Sequence, residues 1–159
     1  MKNENFRKAV LQYGEMYIAE LTKQLLLNNK KASGELIDSL DYKLIDTVDG
    51  ILIDILASDY LKVVDKGLKP CRFPNVKKII KWVDVRNIKP KNKKYKTNED
   101  VGWAIAKSID RKGIKPTNVL RKAKASLLAN KKALATVVDA AEVDVKDLIK
   151  KSLKNFNNK

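Results

Sequence analysis

Seven carboxylates recur over a short stretch: Asp38, Asp41, Asp46, Asp49, Asp54, Asp59 and Asp65. Grouped carboxylates bind magnesium and support metal-assisted hydrolysis, so a nuclease-type site is the first chemistry to weigh. Their contexts argue against it. Asp49 precedes Gly50 in a turn, Asp59 suits a helix N-cap, and Asp41 falls on the polar face of an alternating run. Asp54 interrupts an Ile/Leu run out of phase with Ile53 and Ile55, which sends it to solvent or to another subunit. The chain has no His and one Cys. That excludes a histidine base, a Ser-His-Asp or Cys-His pair, a His-containing zinc site and an internal disulfide. Cys71 has a basic neighbour in Arg72 but no base partner, and is expected to be a small turn residue. No phosphate loop and no GxGxxG occur. The expectation is a non-enzyme with no catalytic residue, no metal ligand, no cofactor and no small-molecule substrate.

The charge is more informative. The 159 residues carry 34 Lys+Arg and 19 Asp+Glu, net +15. Twenty-nine of the 34 cations are Lys. Lysine is a solvated point charge, whereas arginine reads bases and phosphates with a planar fork. Residues 1–68 hold 9 basic and 11 acidic side chains, net −2. Residues 69–96 hold 11 basic and one acidic, net +10, and residues 97–159 are net +7. The peak is a Pro- and Asn-containing stretch with Arg86, Lys89, Lys91, Lys93, Lys94, Tyr95 and Lys96. It is expected to be an exposed loop that contacts a polyanion or an acidic protein surface. The start, Met1-Lys2-Asn3-Glu4-Asn5, has no apolar core behind it, and no apolar run nears the ~18–20 residues of a membrane span. Neither a signal peptide nor a membrane segment is expected.

These groups must be held by a folded core. Phe6, Val10, Tyr13, Tyr17, Leu21 and Leu25 recur at helical spacing, so residues 4–29 are expected to form one long helix, weakened by Gly14 and stopped at Asn28-Asn29. A short helical turn or loop over 32–37 leads to Leu40, Tyr42 and Leu44, which alternate with charged residues. Asp49-Gly50 then separates this run from Ile51–Leu56, giving an antiparallel hairpin over 39–56. Residues 59–66 read as a short helix capped by Gly67. Pro74 opens a helix with the stripe Val76, Ile79, Ile80, Val83. Thr97-Asn-Glu-Asp100 reads as a capping box before Val101, Ala104, Ile105 and Ile109, with Gly113 as the stop. The remainder is helical, broken near Asn130, restarted by a cap at Asp144–Asp147, and frayed from Asn155. No internal repeat is expected. Two strands alone are marginal, so either a third strand lies in Trp82–Ile88 or the sheet continues across subunits. The fold class is α+β: a long N-terminal helix, an antiparallel hairpin packed by several helices, and a helical C-terminal extension. Trp82 and Trp103 lie just off their helical stripes and are candidate interface anchors.

The order of signatures resembles the tailed-bacteriophage neck, or tail-completion, proteins. It begins with Ala32-Ser33-Gly34-Glu35-Leu36 and Ser39. Tyr60-Leu-Lys-Val-Val64-Asp65-Lys-Gly67 follows the hairpin, then Pro70, Pro74, Ile79, Ile80 and Trp82. The last block is Ala104, Ile105 and Ile109, then Gly113-Ile114-Lys115-Pro116-Thr117. The resemblance covers residues 1–120, implying a neck-like α+β domain there and a separate helical extension over 121–159. Cys71 stands where that family often has Gly, and Asn118-Val119 where it has Pro-Phe. The resemblance implies a virion structural protein that forms a homo-oligomeric ring between portal and tail. Its partners would be itself, the neighbouring portal, neck and tail proteins, and DNA in the channel. It would reside in the virion after assembly in the host cytoplasm. The competing expectation is a basic nucleic-acid-binding module for packaging or regulation.

Overall fold

A computed structural model describes residues 4–29, 34–48, 50–90 and 95–157. The elements are α1 (Glu4–Leu27), α2 (Glu35–Asp38), β1 (Asp41–Thr47), β2 (Gly50–Leu56), α3 (Tyr60–Lys66), α4 (Val76–Val85), α5 (Asn98–Lys112), α6 (Val119–Ala129) and α7 (Lys131–Asn157). The fold is α+β, with a long first helix, one two-stranded antiparallel sheet and C-terminal helices. The chain divides into two compact units. One contains Met1–Lys23, Asp41–Leu56 and Arg121–Lys159; the other contains Gln24–Leu40 and Ala57–Leu120. Residues 121–159 therefore cluster with the first helix and the hairpin, and the chain changes unit at the 120/121 boundary.

In the first unit the expected stripe of α1 faces inward. Val10 and Leu21 are buried, and Ala9 joins them. Gly14 is not a weak point. A side chain there would collide with the ring of Tyr42, so the glycine is the seat on which β1 rests. The Tyr42 hydroxyl donates to the Leu11 carbonyl at 3.0 Å and fixes the ring over that seat. Tyr42 and Leu44 pair with Ile55 and Ile53, so these four side chains share the half-buried face of the hairpin.

The turn differs from expectation by one position. Thr47 pairs with Gly50, so the two linking residues are Val48 and Asp49 rather than Asp49 and Gly50. Gly50, at φ +148°, starts β2, and the Thr47 hydroxyl donates to its carbonyl at 2.9 Å. Asp49 lies outside the described residues. The expected third strand is not formed: Trp82–Val85 complete α4, because the Val76/Ile79/Ile80/Val83 period is helical. Among the described residues the sheet has two strands.

The C-terminal helices also depart from expectation. The break at Asn130 is present, and its side-chain oxygen accepts from the Ala133 N–H at 3.4 Å to start α7. No new helix begins at Asp144. The helix runs unbroken to Asn157, so fraying from Asn155 is not seen. Asp144 caps a different helix. Its carboxylate accepts from the Phe6 N–H at 2.9 Å and from the Asn5 amide at 2.8 Å. Phe6 is in the first turn of α1, where backbone donors have no partner within the helix. Those hydrogen bonds stabilise the carboxylate and hold its pKa below the ordinary 3.8.

Two outcomes follow for this unit. Gly14→Ala raises helix propensity by about 1 kcal/mol, yet it should destabilise the protein by about 1–3 kcal/mol through overpacking on Tyr42. Urea unfolding checks this, and Tyr42→Leu should relieve the penalty in the double variant. For Asp144 the folded-state pKa is lowered, so its contribution is complete above the unfolded value and is lost as pH falls through the folded one. Wild-type stability should therefore drop toward that of Asp144→Ala only as pH falls below about 4. Acid titrations of both proteins, compared point by point, check this.

Candidate functional site

The second unit is organised by a contact between two loops. Gly67 ends α3 with φ +74°, and Gly113 ends α5 with φ +70°. The residues that follow them bond reciprocally. The Leu68 N–H donates to the Ile114 carbonyl at 2.9 Å, and the Ile114 N–H donates to the Leu68 carbonyl at 2.8 Å. The backbones approach so closely that a side chain on Gly67 would strike the Ile114 carbonyl, and one on Gly113 would strike the Leu68 carbonyl. Only glycine combines that φ with that clearance.

The clasp has a sequence signature. Lys66-Gly67-Leu68-Lys69-Pro70 and Lys112-Gly113-Ile114-Lys115-Pro116 are nearly the same pentapeptide. The expectation of no internal repeat is corrected here: a five-residue repeat is present, and its copies pair antiparallel. It is too short to register as a repeated domain, but each copy places Gly at a helix end and Pro three residues later.

Asp65 adds a second tie. It is the buried charged residue of the unit, 8% exposed. Its carboxylate accepts from the Leu120 N–H at 3.0 Å, in the first turn of α6. Its backbone carbonyl accepts from the Thr117 and Asn118 N–H groups at 3.1 and 3.0 Å. The Thr117 hydroxyl donates to the Val64 carbonyl at 2.5 Å. Asp65 is thus the N-cap of a helix that starts 54 residues later, supplied through the fold rather than by the preceding residue. Asn118, at φ +52°, occupies the left-handed position before α6, which asparagine tolerates better than most residues.

The other carboxylates have equally local duties. Asp54 pairs with Lys43 across the strands at 3.3 Å, and Asp46 pairs with Arg7 at 2.6 Å. Asp59 stands at the N-cap position of α3, but its side chain makes no cap bond and reaches Lys62 instead. Asp100 closes the expected capping box with Thr97. Its hydrogen bonds from the Thr97 and Lys96 N–H groups lower its pKa. Among the described residues no three His, Cys, Asp or Glu side chains are placed to hold a metal, and no helix is long and apolar enough to cross a membrane.

The basic stretch is less uniform than its sequence. Arg86 donates to the Asn29 carbonyl at 2.6 Å, with its Nε buried and without a partner among the described residues, so it closes the end of α1 within this unit. Lys81 pairs with Glu35 at 2.8 Å. Lys89 and Lys96 are exposed, and Tyr95 is half-buried. Lys91, Lys93 and Lys94 lie outside the described residues. Pro74 precedes α4 but does not begin it. Asn75 is the N-cap, its side chain accepting from the Lys78 N–H.

The two tryptophans differ. Trp82 on α4 is 37% exposed, and Trp103 on α5 is 50% exposed. Beside Trp103, Gly102 is buried because α4 lies directly on it: a side chain would come within 2.6 Å of Ile80. Trp103 meets Phe73, ring centres 6.0 Å apart and tilted by 42°, and Phe73 is itself 52% exposed. The loop carrying Phe73 is held along α5 by the Cys71 N–H, which donates to the Asp110 carbonyl at 2.6 Å. Cys71 has φ +62°, a left-handed conformation that explains why glycine suits this position. The outer face of the hairpin also exposes apolar side chains, with Ile45 and Leu52 paired across the strands, as does α7 at Val138, Val143, Val145 and Ile149. Comparison with protein-family models, curated proteins and solved structures finds no match to this chain. What the geometry offers is exposed apolar side chains in both units, on a scaffold tied by hydrogen bonds and ion pairs within each unit.

Gly67→Ala and Gly113→Ala should each cost about 2–4 kcal/mol, combining backbone strain with overpacking. Asp65→Ala should cost about 1–2 kcal/mol as a lost cap, with Asp65→Asn recovering most of it. Chemical denaturation of the four variants checks the order.

Proposed function

We propose that this chain is a structural virion protein that assembles as a homo-oligomeric ring in a bacteriophage neck or tail, joining the portal-bearing head to the tail. The observation that carries the reading is the clasp. The two most distinctive blocks of the resemblance, Val64-Asp65-Lys-Gly67 and Gly113-Ile114-Lys-Pro116-Thr117, are distant in sequence and bonded to each other in the fold. Each of their marked residues has an architectural duty. Gly67 and Gly113 permit the approach, Asp65 caps α6, and Thr117 ties down Val64. The earlier block behaves alike. Gly34 sits at φ +95° before α2, Leu36 is buried, and the Ser39 hydroxyl links the Leu36 carbonyl to the Ser58 N–H.

In this reading the chain performs no chemistry. It supplies a rigid unit with exposed apolar surfaces, as a ring subunit needs where it meets like neighbours and the rings above and below. Its partners are further copies of itself and adjoining portal, neck and tail proteins. The exposed lysines face acidic surfaces of those neighbours or DNA in the channel. Peptide mass spectrometry of purified particles from the phage that encodes this chain tests the proposal. The expected result is several copies per particle in fixed ratio to the portal protein; its absence from intact particles contradicts it.

A further inference from the structure

We propose that the clasp is itself a docking site for the phosphate backbone of duplex DNA, made by the four lysines of its repeated pentapeptide: Lys66, Lys69, Lys112 and Lys115. The inference deepens the neck reading and rests on it only for where the duplex comes from; the contact belongs to the purified chain and is measured on it.

The repeat holds more than the clasp needs. Gly67 and Gly113 permit the close approach, and Leu68 and Ile114 exchange the hydrogen bonds. The lysines at the first and fourth positions of each copy do neither. All four are exposed, and none has an ion pair among the described residues. Lys66 and Lys112 lie in the last turns of α3 and α5, where a cation complements the helix dipole. Lys69 and Lys115 lie beyond the helices and have no such duty. The clasp nevertheless gathers them. The backbone of Lys69 runs within 3.2 Å of where a Gly113 side chain would stand, next to Lys112. The backbone of Lys115 runs within 3.1 Å of the corresponding point at Gly67, next to Lys66. Two lysine pairs distant in sequence thus become one cluster.

The acidic residues nearby do not cancel it. Segments 65–72 and 110–116 carry Lys66, Lys69, Arg72, Arg111, Lys112 and Lys115 against Asp65 and Asp110, net +4. Asp65 is buried and bonded to the Leu120 N–H, and Asp110 is half-buried, so positive charge dominates what is exposed. At the start of α3, Lys62 and Asp59 pair with each other. The compact unit that contains the clasp has 19 basic and 8 acidic residues, net +11. A cluster of one sign within such a unit attracts a polyanion. The symmetry of the clasp selects which one. Beyond the Leu68–Ile114 pair, the residue after each proline donates its N–H to the carbonyl three residues before the other glycine: Cys71 to Asp110 at 2.6 Å, and Thr117 to Val64 at 3.3 Å. The clasp therefore has approximate two-fold symmetry, and its lysines share it. Two-fold axes also relate the antiparallel backbones of a duplex, so such a set of cations meets both strands alike. A single strand or an acidic protein surface has no such symmetry. With lysine rather than arginine at all four positions, the contact is to phosphate and independent of base sequence.

The test uses the full-length chain, a double variant Lys69→Glu/Lys115→Glu, and a control Lys124→Glu/Lys132→Glu that makes the same charge change at exposed lysines of the other unit. Circular dichroism checks each for the wild-type fold; should the first fail to fold, Lys69→Gln/Lys115→Gln takes its place. Fluorescence anisotropy with a labelled duplex of arbitrary sequence is followed as a function of salt. The clasp variant should bind on the order of tenfold more weakly than the control at low salt, and its log Kd should depend less steeply on log salt, by about two phosphate contacts. The wild type should prefer the duplex to a single strand of equal phosphate number and to poly-glutamate of equal charge. A clasp variant that binds like the control overturns the proposal, as does a wild-type chain that does not bind duplex in dilute buffer. Equal or tighter binding of poly-glutamate assigns the lysines to an acidic protein surface and overturns it; equal or tighter binding of the single strand overturns it as well. None of these outcomes touches the ring reading, which the particle composition decides separately.

Discussion

Close backbone approach at two glycines is the constraint on which the second unit depends. Leu68 and Ile114 exchange two hydrogen bonds only because Gly67 and Gly113 carry no side chains and accept positive φ. Each bond contributes only about 0.5–1.5 kcal/mol net, but the geometry they impose is worth more. It brings the end of α3 beside the end of α5 and sets Asp65 at the start of α6. From α5 the restraint passes through Asp110 to the Cys71 loop, and so to the Phe73–Trp103 pair. The exposed aromatic patch is downstream of a contact between glycines.

Local physics made much of the fold legible from sequence. The Thr97/Asp100 capping box formed as written, because its partners lie within one turn. The stripes of α1, α4 and α5 face inward for the same reason. The break at Asn130 appeared where an N-capping side chain stands. What was not legible came from partners distant in the chain. Gly14 reads as a weak helix residue until Tyr42 is placed over it. Asp144 reads as the cap of its own helix, and instead caps α1 from the other end of the sequence. Pro74 was expected to begin α4, but the side chain of Asn75 accepts the helix's first orphan bond. Of the candidate contact residues, Arg86 looked like one more loop cation and is in fact committed to the end of α1. The paired Lys-Gly-x-Lys-Pro pentapeptides were visible in the sequence throughout. A repeat of five residues acquires meaning only once its copies are seen to pair.

The net charge of +15 also changes meaning with the structure. Part of the excess after Lys69 is spent internally, on Glu35 and on the Asn29 carbonyl. The carboxylates that first suggested a metal site are likewise committed: those of Asp46, Asp54, Asp65 and Asp59 each have a cation or a helix end as partner.

The central claim is that the marked glycines and Asp65 act as one structural clasp. Native-state hydrogen exchange at single-amide resolution tests it most directly. The account predicts that the Leu68, Ile114 and Leu120 amides are among the slowest in the second unit and exchange through one common opening. Rapid, independent exchange at Leu68 and Ile114, at rates typical of free loops, would contradict it.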